Sequence, residues 1–259
     1  MGYYAKRRLV ILFFFLLIIS LISYFIYWKY FKVYPTCFDN IQNQNEEDVD
    51  CGGPCKKICT FKAEKVNIDW FRYFEVIDGV YNLAGVVENP NFYYSLKIKY
   101  EIRYLNKEGR VIGIIRDHVK LEPLEKRVLF YPGIRIKGQK IDKVTFNYTN
   151  IYDLKQSKPL DKKIIVKTKE ITENKDGLTR LKLVIHNSSL VPQSNLLITA
   201  VLINEQGNAI DLNQTLVENI DSREDKELFL TWRRKIEDKI SRIDVYVEKE
   251  NFDKIEILE

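Results

Sequence analysis

The chain has 259 residues, of which 41 are Lys or Arg and 36 are Asp or Glu, so its formal net charge is +5 at pH 7. Residues 1–33 contain five basic and no acidic residues and account for the whole excess, which leaves the remaining chain neutral. A nucleic-acid-binding protein concentrates basic charge in its folded part. The charge distribution therefore excludes that class, and we expect no nucleic-acid partner.

A predicted cytoplasmic stub, residues 1–8, precedes the uncharged apolar run LVILFFFLLIISLISYFIYW, residues 9–28. As a helix this run spans about 30 Å, the thickness of the hydrocarbon core of a bilayer. Cleavable signal peptides have a shorter apolar region that ends in small residues. This run instead ends in an aromatic girdle of the kind found at membrane interfaces: Tyr24, Tyr27, Trp28 and Tyr30. We predict an uncleaved signal anchor over residues 9–29 that crosses the membrane once.

The charges that flank the anchor indicate its orientation. The cluster Lys6-Arg7-Arg8 favours a cytoplasmic N-terminus, although Lys29 and Lys32 partly balance it. Four cysteines just beyond the anchor agree with this orientation, since stable disulfides need an oxidising compartment. We expect a single-pass protein of the cell membrane with residues 33–259 outside the cytoplasm.

All four cysteines lie in one predicted module over residues 34–60: Cys37, Cys51, Cys55 and Cys59. Their spacing, C-x13-C-x3-C-x3-C, lacks a redox C-x-x-C pair, and no histidine is near enough in sequence to suggest a zinc site. Outside the cytoplasm two disulfides are the simplest state, with three connectivities open. The segment is too short for a core of its own, so we expect cross-links to hold it.

The loop between the first two cysteines carries five acidic residues and no basic one. Four oxygen-bearing residues recur in it every three to four positions: Asp39, Asn43, Glu46 and Asp50. Such oxygens are the ligands that Ca²⁺ takes, whereas the alternative is a solvated acidic loop in which Asp and Asn form turns. Asn40 and Asn45 sit where left-handed or turn conformations are expected. Calcium is the one cofactor that the sequence suggests.

The segment PTCFDNIQNQNEEDVDCGGPCKKIC resembles a cysteine module of bacterial and archaeal extracytoplasmic proteins, C-x-D-G-x-x-N-x-x-E-x-x-x-D-C-G-G-x-C, which often follows a signal anchor. The matching positions are Cys37, Asp39, Asn43, Glu46, Asp50, Cys51, Gly52, Gly53 and Cys55. Asn40 and Asn45 replace glycines of the pattern and keep its turn chemistry. The resemblance covers this segment alone, carries no catalytic role and implies a calcium-stabilised loop.

The rest of the chain is predicted to contain two copies of one strand-rich unit. YNLAGVVENPNFYYSLKIKYEIRYLNKEGRVIG aligns with TRLKLVIHNSSLVPQSNLLITAVLINEQGNAID at an offset of 98 residues. LEPLEKRVLF aligns with IDSREDKELF at an offset of 99, so one inserted residue explains the whole alignment. We predict two tandem domains, residues 61–152 and 161–259, joined by a linker over residues 153–160.

Apolar and polar residues alternate within each copy, as at Leu96, Ile98 and Tyr100, which indicates half-buried strands. The hairpin loops NKEGR and NEQGN place Gly109 and Gly207 where a positive φ is expected. Regularly spaced strands without a helical stretch are typical of sandwiches. We predict a mainly β chain, with two immunoglobulin-like β-sandwiches after the transmembrane helix and the disulfide-linked module.

Asn89 and Asn187 each end the second predicted strand of their copy, where the side chain can bond to the backbone and fix the turn. A direct functional role for this recurring Asn is the less favoured alternative. AGVVENP and LEPLEKRVLF in the first copy resemble small bacterial envelope β-sandwiches of the FxLYD or late-embryogenesis-abundant type. This resemblance implies a fold and no particular function, since such folds host many.

Sequence motifs for catalysis are absent: no P-loop, G-x-S-x-G or H-E-x-x-H pattern occurs, and His118 and His186 do not occupy equivalent positions. A hydrolase would need carboxylates that converge from distant strands in a deep cleft. We predict a non-catalytic, membrane-anchored binding or scaffold protein of the cell envelope with a protein or glycan partner. Strand edges would serve as its docking surfaces. The alternative is an accessory subunit of an envelope secretion or enzyme complex.

Overall fold

The computed structural model describes residues 3–30, 36–173 and 176–249. Residues 34 and 35 of the predicted cysteine module and residues 250–259 of the second predicted domain lie outside the described residues. The chain divides into two compact units, Met1–Cys59 and Thr60–Glu259.

In the part of the chain that the structure describes, one α-helix, α1, runs over Tyr3–Tyr30. Its stretch Arg7–Lys29 has a mean hydropathy of 3.0 and is long and apolar enough to cross a membrane. The predicted apolar helix is therefore confirmed. The helix also includes residues 3–8 of the predicted stub, because this short stretch contains no glycine or proline that would end it.

Twelve antiparallel strands account for most of the described residues that follow. A short 3₁₀ turn, Thr60–Lys62, precedes the first strand. The strands are β1 (Asn67–Ile77), β2 (Val80–Glu88), β3 (Tyr94–Leu105), β4 (Val111–Leu121), β5 (Lys126–Arg135), β6 (Lys143–Gln156), β7 (Ile164–Glu173), β8 (Thr179–Asn187), β9 (Gln193–Asn204), β10 (Ala209–Ile220), β11 (Asp225–Thr231) and β12 (Ile240–Lys249). The mainly β prediction is confirmed.

The strands form four three-stranded sheets, in the orders β1-β2-β5, β4-β3-β6, β11-β8-β7 and β10-β9-β12. The arrangement of β1–β6 therefore recurs in β7–β12, with each strand replaced by the one six positions later. We call residues 67–156 the first repeat and residues 164–249 the second repeat. The recurrence of strand order agrees with the internal alignment of the sequence.

Alternating burial positions these strands. Every second residue of β8, from Thr179 to Asn187, is buried, and Ile98 and Ile102 of β3 are fully buried while Lys99 and Arg103 between and beyond them face solvent. Since side chains of a strand point alternately to opposite faces, one face of each sheet enters a core. This packing explains why apolar and polar residues alternate along the strands in the sequence.

Gly85 in β2 lies opposite Phe71 of β1. A Cβ atom at Gly85 would lie 2.1 Å from the Phe71 ring, which covers the glycine. The same ring stacks on Phe146 of β6, with 5.3 Å between the ring centroids. Only glycine leaves room for this aromatic contact between the two sheets of the first repeat.

Buried apolar residues form one core within the second repeat and another cluster between the repeats. The core of the second repeat draws on both of its sheets, including Leu183 of β8 and Ile198 of β9. The inter-repeat cluster joins β1, β2 and β5 to β9 and β10: Phe74, Ala84, Val86, Val128, Val201, Ile203, Ala209 and Leu212. Because apolar burial is the dominant favourable term in folding, this cluster unites the two repeats in one compact unit.

The segment between the repeats covers residues 157–163 and therefore lies further along the chain than the predicted linker, residues 153–160. Strand β6 continues to Gln156, where it pairs with Tyr94 of β3, so four of the predicted linker residues belong to the sheet. Asp153, Lys155 and Gln156 make this end of the strand largely polar and conceal it in the sequence, although Leu154 among them is buried.

Candidate functional site

The cysteine module is the first candidate site, and two disulfides cross-link it. Cys37 pairs with Cys55 and Cys51 pairs with Cys59, with Cα–Cα distances of 5.6 and 5.1 Å. The predicted two-disulfide state is confirmed, and the pairing is first with third and second with fourth. The bonded pairs interleave along the chain, so the loop closed by each disulfide contains a cysteine of the other disulfide. Each disulfide therefore also constrains the loop that the other one closes.

The carboxylate of Asp50 binds the backbone of the turn that follows Cys37. It accepts hydrogen bonds from Asp39 N at 3.0 Å and from Asn40 N at 3.0 Å. Asp50 is 8% exposed, so these N–H groups replace the water that the charge has lost. Asp50 thereby ties together two parts of the loop that are eleven residues apart.

The Asp39 carboxylate organises the same turn. It accepts hydrogen bonds from Thr36 N, Ile41 N and Asn43 Nδ2, each at 3.0 Å. The bond from the Thr36 backbone, together with the one from Asn43, holds the pKa of Asp39 below its ordinary value.

Glu46 is buried beside a disulfide. Its Oε2 accepts hydrogen bonds from Asn43 N at 3.2 Å and Asp50 N at 3.3 Å, and its Oε1 lies 3.0 Å from Cys55 Sγ. The structure therefore brings all four sequence-predicted oxygen residues into one connected network. In this network each carboxylate supplies the backbone with acceptors that a segment without strands cannot obtain from a sheet.

A calcium ion in this loop stays a prediction. Among the described residues, Asn43 Oδ1 is a buried side-chain oxygen to which no donor bonds, so it is available to a cation. The one metal-like group of side chains found in the described residues is Cys37, Glu46 and Cys55, but both of its cysteines are consumed by their disulfide. Without thiolates this group does not suit zinc.

Left-handed backbone conformations shape the loop. Asn40 and Asn45 have φ values of 58° and 64°, as their sequence positions predict. Gln44 and Asp50 are also left-handed, at 51° and 54°, and no sequence signal identified them. A Cβ atom at Gly53 would lie 2.2 Å from Asn45 O, so this position accepts only glycine.

The recurring Asn is the second candidate feature. Asn89 is fully buried, and its Nδ2 donates to Tyr94 O at 2.8 Å, Leu121 O at 3.4 Å and Glu122 O at 2.9 Å. Its Oδ1 accepts a hydrogen bond from Asn91 N at 3.1 Å. The side chain therefore joins the β2–β3 loop to the β4–β5 turn.

Asn187 makes the equivalent contacts in the second repeat. It is fully buried, and its Nδ2 donates to Val191 O at 2.9 Å, Ile220 O at 3.3 Å and Asp221 O at 2.9 Å. Its Oδ1 accepts from the backbone and the hydroxyl of Ser189. Asn187 has a structural role, because its amide binds three carbonyls and its side chain has no exposed surface for a ligand.

These asparagines fix two loops whose tips expose apolar pairs. Phe92 and Tyr93 of the first repeat are 53% and 62% exposed, and Leu190 and Val191 at the equivalent positions of the second repeat are 78% and 51% exposed. An apolar pair follows shortly after each recurring Asn in the sequence, but the sequence does not show that the pair is exposed.

The hairpin glycines Gly109 and Gly207 have φ values of 74° and 78°.

A buried ion pair lies between the repeats, and sequence reasoning missed it. Glu248 of β12 accepts a hydrogen bond from Val128 N of β5 at 2.7 Å, and its other oxygen lies 3.6 Å from Arg127 Nε. Arg127 also contacts Glu125 at 2.7 Å. The Glu248 and Arg127 side chains are 7% and 10% exposed, so their charges are largely removed from water.

The two histidines do not form a common site. His186 Nδ1 lies 2.5 Å from Asp225 Oδ1, and Lys167 contacts the same carboxylate. The hydrogen bond from Lys167, with that from His186, lowers the pKa of Asp225. His118 is exposed and lies 3.7 Å from Asp117.

Asp117 instead binds two tyrosines inside the first repeat. Tyr131 Oη donates to Asp117 at 2.8 Å, and the Tyr100 and Tyr131 hydroxyls lie 2.6 Å apart. Burial raises the pKa of both tyrosines, so they stay protonated. A protonated pair that shares one carboxylate satisfies polar groups in a core and supplies no activated nucleophile.

A shallow groove of about 580 Å³ lies between β7 and β12 in the second repeat. Its lining includes Lys169, Ile171, Ile243 and one carboxylate, Asp238. A glycosidase-type mechanism requires two carboxylates on opposite sides of the substrate. This groove therefore does not provide the paired acids that the hydrolytic alternative needs. Comparisons of the chain with protein-family models and with curated proteins give no match.

Proposed function

We propose that the chain is a single-span, non-catalytic binding or scaffold protein of the cell envelope, with its N-terminus in the cytoplasm. The observation that carries this proposal is that an exposed apolar helix, Arg7–Lys29, is followed along the chain by two disulfides. Disulfides persist in oxidising compartments, and an apolar helix of this length matches a bilayer. The disulfide-linked module and both repeats then lie outside the cytoplasm.

The repeats are proposed to be immunoglobulin-like β-sandwiches of the envelope type. Each has two three-stranded antiparallel sheets, and its chain passes from one sheet to the other after its second, fourth and fifth strands. In the second repeat one core receives side chains from both sheets. Both features support a sandwich with Greek-key connections.

The non-catalytic part of the proposal rests on how the polar groups are used. The buried carboxylates of Asp50 and Glu46 accept backbone N–H groups, and that of Glu248 accepts a backbone N–H at the interface between the repeats. Asp117 accepts from two tyrosine hydroxyls. Side chains that hold the fold together in this way favour a binding or scaffolding role over chemistry.

Strand β7 is the edge we propose for a protein partner. It lies at the edge of its sheet, most of its residues are exposed, and Ile165 and Ile171 present 49% and 38% of their surface to solvent. A partner strand could add to this edge through backbone hydrogen bonds and cover the two isoleucines. A glycan partner would instead use polar surface and would not depend on them.

Co-purification of the full chain from detergent-solubilised membranes tests the proposal. We expect one protein to be recovered with the chain, and we expect Ile165→Lys to reduce its recovery at least tenfold. Leu190→Lys is the matched control, because Leu190 is more exposed but lies in a loop. Stoichiometric recovery of a membrane complex whose enzyme activity needs the chain would favour the accessory-subunit alternative, and recovery of no partner from any envelope fraction would contradict the binding role.

A further inference from the structure

The cysteine module lies close to the end of helix α1 along the chain. The helix ends at Tyr30 and the described part of the module begins at Thr36, so only residues 31–35 separate them. Six Cα–Cα steps extend at most about 20 Å. With α1 across a bilayer, as the proposed function requires, the module cannot move further than this from the end of its anchor.

Two large apolar side chains of the module face solvent. Phe38 is 86% exposed and Ile41 is 54% exposed. Both lie in the turn that the Asp50 carboxylate fixes through its bonds to Asp39 N and Asn40 N. The turn is therefore held in one shape with its two apolar side chains exposed, although the module buries few apolar side chains.

The same region carries exposed positive charge. Cys37, next to Phe38, is bonded to Cys55, which directly precedes Lys56 and Lys57, and both lysines are exposed. The disulfide therefore joins the segment that carries the aromatic residue to the segment that carries the two lysines. Aromatic rings and lysines near an anchor are the side chains that occupy the headgroup region of a bilayer.

The carboxylates of Asp39 and Asp50 bind the backbone of this turn, whereas the exposed carboxylates of the module, Glu47 and Asp48, lie further along the loop. Asp50 is buried and Asp39 is partly buried, and the oxygens of both accept backbone N–H groups. The carboxylates therefore need not be dehydrated by a lipid surface when the neighbouring apolar side chains enter it. The apolar turn at residues 38–41 is thereby separated along the chain from the exposed carboxylates of Glu47 and Asp48.

We propose that the module docks on the lipid surface, with Phe38 and Ile41 inserted in the headgroup region and Lys56 and Lys57 beside anionic headgroups. The occupant of this apolar surface is the bilayer that holds α1, so the proposal rests on the proposed membrane anchor. Docking would fix the module against the membrane and limit the directions in which the following repeats can be displayed.

Photocrosslinking in nanodiscs tests the proposal. The full chain is reconstituted in nanodiscs of phosphatidylcholine and phosphatidylglycerol, with benzoylphenylalanine at position 38, 17 or 190 in separate preparations. Position 17 lies in the apolar part of α1, and position 190 is 78% exposed but far along the chain in the second repeat. The larger ring suits Phe38, whose side chain is already exposed, and non-reducing mass spectrometry checks both disulfides.

We expect lipid adducts at positions 17 and 38, with at least tenfold more adduct at 38 than at 190. Adduct at 17 with no excess at 38 over 190 would overturn the docking and leave the anchor intact. A crosslink from position 38 to a second protein chain in place of lipid would also overturn it. Absence of adduct at 17 would refute the membrane anchor itself, and the docking with it.

Discussion

Removal of the Glu248 carboxylate is expected to destabilise the contact between the repeats. The substitution Glu248→Ala leaves Val128 N without its acceptor, and Arg127 retains only its contact with Glu125. An unsatisfied buried polar group costs about 1–3 kcal/mol, and breaking a buried pair costs more when no other partner remains. Since Arg127 keeps Glu125, we predict a loss of about 2 kcal/mol in the free energy of unfolding.

Thermal unfolding of the full chain in detergent micelles, followed by near-ultraviolet circular dichroism, measures this loss. A destabilisation of about 2 kcal/mol lowers the Tm of a 200-residue unit by roughly 4–8 °C. Glu248→Gln should lose less, because its amide oxygen still accepts from Val128 N. Glu205→Ala is the surface control, since Glu205 is 54% exposed in its ion pair with Lys239. Equal Tm values for Glu248→Ala and Glu205→Ala would refute the role assigned to the buried carboxylate.

Three further outcomes follow from the candidate sites. Asn89→Ala should lower the free energy of unfolding by about 2 kcal/mol because it orphans buried carbonyls, whereas Asn147→Ala at an exposed site should change it little; equal effects in urea titrations would contradict the structural role. Removing calcium with EGTA should lower the Tm of the wild type and not of Asn43→Ala, since ligand release destabilises the bound state; an unaltered wild-type Tm would leave a loop held by disulfides and hydrogen bonds alone. Hydrogen bonds, first from the Thr36 backbone, lower the pKa of Asp39 in the folded state. The carboxylate therefore stabilises the fold fully above its unfolded-state pKa, and this contribution is lost as the pH falls through its folded-state pKa. An NMR titration midpoint of Asp39 at or above the ordinary Asp value would contradict this.

The regular part of the fold could be predicted because local signals agree with it. The alternation at Ile98 and Tyr100 reflects one buried face of β3, and both hairpin glycines lie at positive φ. Asn89 and Asn187 could be recognised as turn-fixing residues because each lies where a strand ends, and the structure buries both completely. Such features depend on a few neighbouring residues, so the sequence contains them.

Features that join distant segments could not be predicted. The disulfide connectivity depends on how the module folds, because the spacing leaves three pairings open. Glu248 and Val128 are 120 positions apart in sequence, and nothing near either residue indicates their contact. The apolar residues that join the repeats, such as Ala84 and Val201, have the composition of any β-sheet core, so the pattern alone does not indicate that they meet.

Protease accessibility in intact spheroplasts that express the full chain tests membrane topology, on which the proposed function depends. We predict that protease added outside removes the two repeats while a tag before Met1 stays protected until detergent breaks the membrane. Protection of both repeats in intact spheroplasts, with digestion only after lysis, would place the cysteines in the cytoplasm and contradict the proposed function.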